Sequence, residues 1–209
     1  NGSACWCSSA SCLHCSDRES DNAGMIAQTL AAETEPDMAK SKSPYRFDDV
    51  WHKVDDALAE DILAFWRAEA ALPAGEDGSV RVKQAVTVMR DADGAIAAIS
   101  TVIIKRIPRL QQPLYYYRTF CAERHRGRRT MLDMLGHSHD TLRAFCAAQE
   151  TPEAIGMLIE LESPMLSGRY DEAQNTETGF CFIGKSQRGN NLFVRYFPGF
   201  KLQAPRSGA

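Results

Sequence analysis

The chain has 209 residues, 44% of them hydrophobic and 24% charged, the balance of one globular domain able to bury a core. A net charge of −3 gives no chain-wide case for nucleic acid or an anionic membrane as partner, and no apolar run approaches a membrane span. The averages hide one asymmetry: Lys105 to Arg129 holds eight Lys/Arg and one acid, Glu123, a net +7 against −10 for the rest. A local anion site is therefore compatible with an acidic protein.

From Asn1 to about Pro44 the composition is small and polar, so residues 1–44 read as a disordered tail and 45–209 as the folded domain. Four of the seven cysteines, Cys5, Cys7, Cys12 and Cys15, crowd the first fifteen residues beside His14. Their surroundings offer nothing apolar to pack around zinc, so no metal is expected. The odd, uneven total is no disulfide framework and suits a reducing cytoplasm. Met25 opens a more ordinary sequence, which leaves open whether residues 1–24 belong to the native protein.

Val54, Leu58, Ile62, Phe65 and Trp66 fall at helical spacing, with Asp55, Glu60, Asp61 and Arg67 opposite, and Pro73-Ala74-Gly75 ends that helix. Val80–Arg90 alternates as a strand, Asp93-Gly94 signals a hairpin, and Ala95–Ile107 continues as a second strand. Leu114–Ala122 is a third strand by its aromatic content, including Tyr115-Tyr116-Tyr117 alternating through the sheet. Met131, Leu135, Leu142, Phe145 and Cys146 mark one face of a long helix from about Arg128 to Gln149, which Pro152 stops. Ala154–Glu162 is a fourth strand with Ile155, Met157, Ile159 and Leu161 on one face and Glu160 and Glu162 on the other. After a loop or short helix around Leu166–Asn175, Gly179–Lys185 and Asn191–Phe197 form a final hairpin. The sum is an α/β (α+β) fold with a mixed, mostly antiparallel central sheet flanked by helices. His137-Ser138-His139 reads as an exposed polar stretch of the long helix, and Cys121 as an inert core thiol.

Chemistry concentrates where the third strand ends: Phe120-Cys121-Ala122-Glu123-Arg124-His125-Arg126-Gly127-Arg128-Arg129-Thr130-Met131. A strand enters a basic turn that opens directly into a helix N-terminus. Free N–H groups and the positive end of the helix dipole there make an anion site for something like a pyrophosphate. The other reading is a solvated basic turn whose arginines pair with surface acids.

The junction resembles the acyl-CoA motif of the GNAT superfamily of N-acetyltransferases, Arg/Gln-x-x-Gly-x-Gly/Ala after a strand. In register it falls on Arg126-Gly127-Arg128-Arg129-Thr130-Met131, with Met134-Leu135 as the apolar pair in the following helix. Arg126 matches and Gly127 is a common second residue. Arg129 and Met131 stand where the family has small residues, so the motif is degenerate. Gly179-Phe180 before a strand, then a hairpin with an aromatic last strand, is similar to the family over its C-terminal half. The tyrosine often found ahead of that Gly-Phe is absent.

The resemblance implies a GNAT-like domain using acetyl-CoA or another acyl-CoA as co-substrate, with an amine attacking the thioester directly. Backbone N–H groups around Phe120, Cys121 and Ala122 would polarise the carbonyl. Arg126, Gly127, Arg128, Arg129, Thr130 and Met131 would hold the pyrophosphate. Glu160 and Glu162 are the base candidates, against a reading as plain solvent-facing strand residues, and Tyr170 is the nearby phenol available to protonate a thiolate. The expected acceptor is a small-molecule or peptide amine in the cytoplasm; no membrane or nucleic-acid partner is expected, and a homodimer is left open. A non-catalytic binding protein on the same fold is the alternative reading.

Overall fold

A computed structural model describes residues 44–72, 75 and 78–204, with only the backbone of 164–166. The expected tail and its cysteine cluster lie outside the described residues, apart from Pro44.

Seven strands make one sheet: β1 (Arg46–Asp49), β2 (Ala85–Arg90), β3 (Ile96–Arg106), β4 (Pro113–Cys121), β5 (Gly156–Leu161), β6 (Cys181–Lys185) and β7 (Asn191–Tyr196). Their spatial order is β1-β2-β3-β4-β5-β7-β6, antiparallel throughout except for β4 against β5. Parallel neighbours need a long crossover. Here α3 (Arg128–Ala147) supplies it.

Helix α1 (Asp56–Ala68) is capped by Asp55, whose carboxylate accepts from the Leu58 amide at 2.8 Å. It buries Ile62 and Trp66 against Val88, Ile96 and Ile99 on one face of the sheet. Helix α3 covers the other face. Met134 packs with Met89, Ala98 and Cys121, while Leu142 and Cys146 pack with Tyr115, Tyr117 and Met157. Tyr116 points to the opposite side, against Leu114 and Leu158. The Asp93-Gly94 turn joins β2 to β3: Gly94 takes φ +82°, which favours glycine, and the Asp91 carboxylate accepts from the Asp93 and Ala95 amides.

Four expectations are corrected, and one strand, β1, goes unread. Helix α1 ends at Ala68, ahead of the expected stop at Pro73. Residues Ser79–Val82 form a short helix, α2, rather than the start of a strand; Gly78 turns the chain at φ +75°, and Val82 alone of that turn is buried. Strand β1 carries one large apolar residue, Phe47, too little alternation to read in the sequence. Ile155 precedes β5 and joins the Leu158 side, not the Met157 side. Of His137-Ser138-His139, only His137 is exposed as expected. Ser138 and His139 are buried; the Ser138 hydroxyl lies 2.8 Å from that of Ser100 and 3.1 Å from Thr87, and His137 stacks on Phe47. Because α3 is packed on one side by β1–β3 and at His139 by Phe197, its buried stripe runs through positions that composition alone marks as polar. A short helix, α4 (Pro164–Arg169), follows β5. Among the described residues no helix is long and apolar enough to cross a membrane, and no group of three His, Cys, Asp or Glu could hold a metal.

Candidate functional site

Strands β4 and β5 pair only at Tyr115–Met157, Tyr116–Leu158 and Tyr117–Ile159. Beyond that point β4 stays with β3 as far as Cys121, and β5 stays with β7 as far as Leu161, so their facing edges part. The Ala122 N–H donates to Ala97 O at 2.9 Å. Alternation along an antiparallel ladder then turns the Phe120 peptide group toward β3 and those of Thr119 and Cys121 toward the gap. Of the expected donors Phe120, Cys121 and Ala122, therefore, only Cys121 faces the opening. Thr119, which the sequence reading did not name, is the other residue whose N–H faces the opening; the ladder phase that shows this cannot be read from composition. The Cys121 side chain points into the core, where burial pushes its thiol up.

A 3-10 turn, Glu123–His125, carries β4 into α3. Gly127 stands at the N-cap in extended backbone (φ −168°, ψ 158°), with no side chain capping the helix. The Met131 N–H already bonds Gly127 O at 3.1 Å, which leaves the amides of Arg128, Arg129 and Thr130 as the helix-end donors. A Cβ built on Gly127 would meet nothing nearer than Thr130 Oγ1 at 3.7 Å, so the space before the helix is open. The two positions where the motif departs from small residues both turn aside. Arg129 reaches along the helix to Asp133 at 2.9 Å, and Met131 packs inward against the Met89–Cys121–Met134 cluster.

The arginines themselves are engaged locally. Arg128 pairs with Glu177 in the loop before β6, and Arg124 lies 3.8 Å from Glu69 and 3.9 Å from Asp91. Arg126 donates through Nε to Cys121 O at 3.0 Å, with its guanidinium 5.9 Å from the Phe120 ring centre. Three of the four arginines thus face carboxylates. What remains open to an anion is the helix end itself.

The two base candidates differ sharply. The Glu160 side chain is 5% exposed; it accepts from Tyr116 Oη at 2.7 Å and Asn190 Nδ2 at 2.9 Å, and pairs with Arg188 at 3.2 Å. Burial alone would raise its pKa, but hydrogen bonds from Tyr116, Asn190, Ser186 and Arg188 outweigh it and bring it down to about 2. A carboxylate so well satisfied is a weak proton acceptor. Glu162 lies past the end of β5, 58% exposed, with Arg188 at 2.8 Å.

Tyr170 lines a pocket of about 200 Å³ with Asp171, Ala173, Phe182, Asn191 and Phe193. Phe193 belongs to the cluster of Met157 and Tyr117, on the sheet face opposite Tyr116 and Glu160. Tyr170 and Glu160 therefore belong to opposite sides of the sheet.

Glu160→Gln is expected to change the acid limb of stability more than turnover. A folded-state pKa lowered from 4.5 to about 2 adds stability that is complete above about 4.5 and is lost as pH falls toward 2. The variant should be less stable than the native protein at pH 7, and the difference should close between pH 4.5 and 2 in urea titrations. A difference that persists unchanged at pH 2 would mean that Glu160 contributes packing and not charge.

No protein-family model matches the chain, and no curated protein matches it significantly in sequence. Its fold does match solved structures. The ribosomal-protein-S5-alanine acetyltransferase from Vibrio fischeri superposes with a TM-score of 0.54 at 11% identity, over 76% of this chain and 96% of that one. A GNAT-superfamily phosphinothricin acetyltransferase from Sinorhizobium meliloti, in complex with acetyl-CoA, gives 0.52 at 12% identity, over 79% and 95%. A GNAT-family acetyltransferase from Streptococcus pneumoniae gives 0.51 at 10%, over 73% and 99%. At these identities the likeness establishes a GNAT-like fold: a mixed α/β fold with a mostly antiparallel central sheet flanked by helices.

Proposed function

We propose that the chain is an acyl-CoA-dependent N-acyltransferase that moves an acetyl group onto an amine. The observation that carries this reading is the pairing of a parted β4–β5 edge with an uncapped helix N-terminus one turn further along the same chain. The amides of Arg128, Arg129 and Thr130, with Arg126 and Arg128 beside them, would hold the pyrophosphate, and Gly127 would let it approach the backbone. The amides of Thr119 and Cys121 would hydrogen-bond in the gap and polarise the thioester carbonyl. The amine nitrogen then bonds to the carbonyl carbon, the carbon–sulfur bond breaks, the nitrogen gives up a proton and the thiolate takes one. Glu160 is too weakly basic to take that proton. Release to water at the rim, where Glu162 is exposed, needs no buried base. The fold-sharing acetyltransferases, one of them in complex with acetyl-CoA, support the same reading.

A non-catalytic binding protein on this fold is the second reading. Glu177 on Arg128 favours it, because a carboxylate already occupies a cation that a phosphate would use.

Calorimetric titration with acetyl-CoA separates the two. The native protein is expected to bind, and Glu177→Gln is expected to bind about three- to tenfold more tightly, since it frees Arg128 and removes a repelling charge. No heat from either protein at millimolar acetyl-CoA sinks the transferase reading.

A further inference from the structure

Beyond Tyr117 and Ile159, the last residues that pair across β4 and β5, the next positions are Arg118 and Glu160. They flank the mouth of the gap on the face that Tyr116 shares, away from α3. Glu160 is fully occupied there by Tyr116, Asn190 and Arg188. Arg118 hydrogen-bonds to the Tyr116 side chain but has no carboxylate partner among the described residues. Its guanidinium carbon lies 5.0 Å from the centre of the Tyr116 ring, and Lys105 Nζ, from β3, lies 3.9 Å from the same centre.

Lys105 stands opposite Leu114 and Arg118 opposite Thr101, so the two cations reach Tyr116 from its two directions along the strand. Both are exposed, whereas Tyr116 is 2% exposed and forms a fixed wall between them. Among the described residues neither cation has a carboxylate within ion-pair distance. Arg124, Arg128, Arg129 and Arg188 all do. At this mouth Lys105, Arg118 and Arg188 stand against Glu160 and Glu162, so a purely cationic amine gains nothing from the local field.

We infer that the acceptor carries an anionic group, a carboxylate or a phosphate, which docks on the exposed Lys105 and Arg118 and so presents the amine to the gap. The inference rests on the transferase reading for the word acceptor; the anion site itself stands on the residues. An anion here would gain two charge-assisted contacts, one a planar fork and one a point charge, from side chains that the buried Tyr116 ring holds apart.

The test is calorimetric titration of the full chain with N-acetyl amino acids and their C-terminal amides, and with phosphoethanolamine against ethanolamine. At least one anionic member is expected to bind, with its neutral counterpart about tenfold or more weaker. Whether carboxylates or phosphates bind identifies which anion the site takes. Arg118→Gln and Lys105→Gln should each weaken that ligand about tenfold, Arg118→Lys should recover part of the loss, and acetyl-CoA affinity should stay at the native value. Neutral amides that bind as well as acids, an Arg118→Gln variant that binds as natively, or no binding of any anion at about 10 mM overturns the inference. If anions are discriminated while acetyl-CoA fails to bind, the transferase reading falls and the anion site remains; the reverse outcome removes the anion site alone.

Discussion

Gly127→Asp is expected to weaken acetyl-CoA binding severely while leaving the fold as stable as before or slightly more so. The N-cap of α3 has extended backbone that any residue adopts, and a new side chain meets nothing nearer than Thr130 Oγ1 at 3.7 Å. An aspartate there would accept from the Thr130 amide and place negative charge at the positive end of the helix, a gain of about 0.5 kcal/mol. The same carboxylate would occupy the donors meant for a pyrophosphate and repel it, which should weaken binding by about 100-fold. Few substitutions separate a site from its scaffold so cleanly, because the two readouts move in opposite directions. Undiminished binding in a folded Gly127→Asp protein would put the pyrophosphate elsewhere.

Gly156→Ala is expected to cost the most stability. Gly156 opens β5 opposite Tyr196 of β7. A Cβ there would stand 2.5 Å from Arg195 O and 2.8 Å from Tyr196 Cα, both backbone atoms with no rotamer to escape into. The overlap can be relieved only by moving β5 from β7, in the middle of the sheet. A loss of about 3 kcal/mol follows, the upper end for overpacking, with Tm lower by roughly 10 °C in a domain of this size. A melting temperature within about 2 °C of the native value would mean that β7 shifts at little cost.

What the sequence made legible was what period and turn chemistry encode. The start of α1, the Asp93-Gly94 hairpin, the strand–turn–helix junction and the closing β6–β7 hairpin reappear within a residue or two of their expected places, whereas α1 ends at Ala68, well short of the expected stop at Pro73. Strand β1 escaped because four residues with one aromatic hold no period. The buried Ser138 escaped because its burial depends on Ser100 and Thr87, which lie 38 and 51 residues away. The site was legible to the same degree. The junction of β4 and α3 shows in the residue order, but which amides face the gap depends on the phase of the β3–β4 ladder. Glu160 could be placed on a strand face, yet its weak basicity comes from Tyr116, Asn190 and Arg188, contributed by other strands and turns. Tertiary partners set those properties, and one residue string does not display them.

The sheet is whole at one end and parted at the other, joined across its middle by three residue pairs. In mechanical terms it is a pair of tweezers, with β1–β4 as one arm, β5–β7 as the other and Tyr115–Tyr117 as the spring. A molecule whose own amides and carbonyls enter between the tips would act as the missing length of strand and tie the arms together. Resistance to unfolding would then grow with the logarithm of that molecule's concentration above its dissociation constant. The lifetime of such a protein would follow the supply of whatever fills the opening, as well as its own sequence.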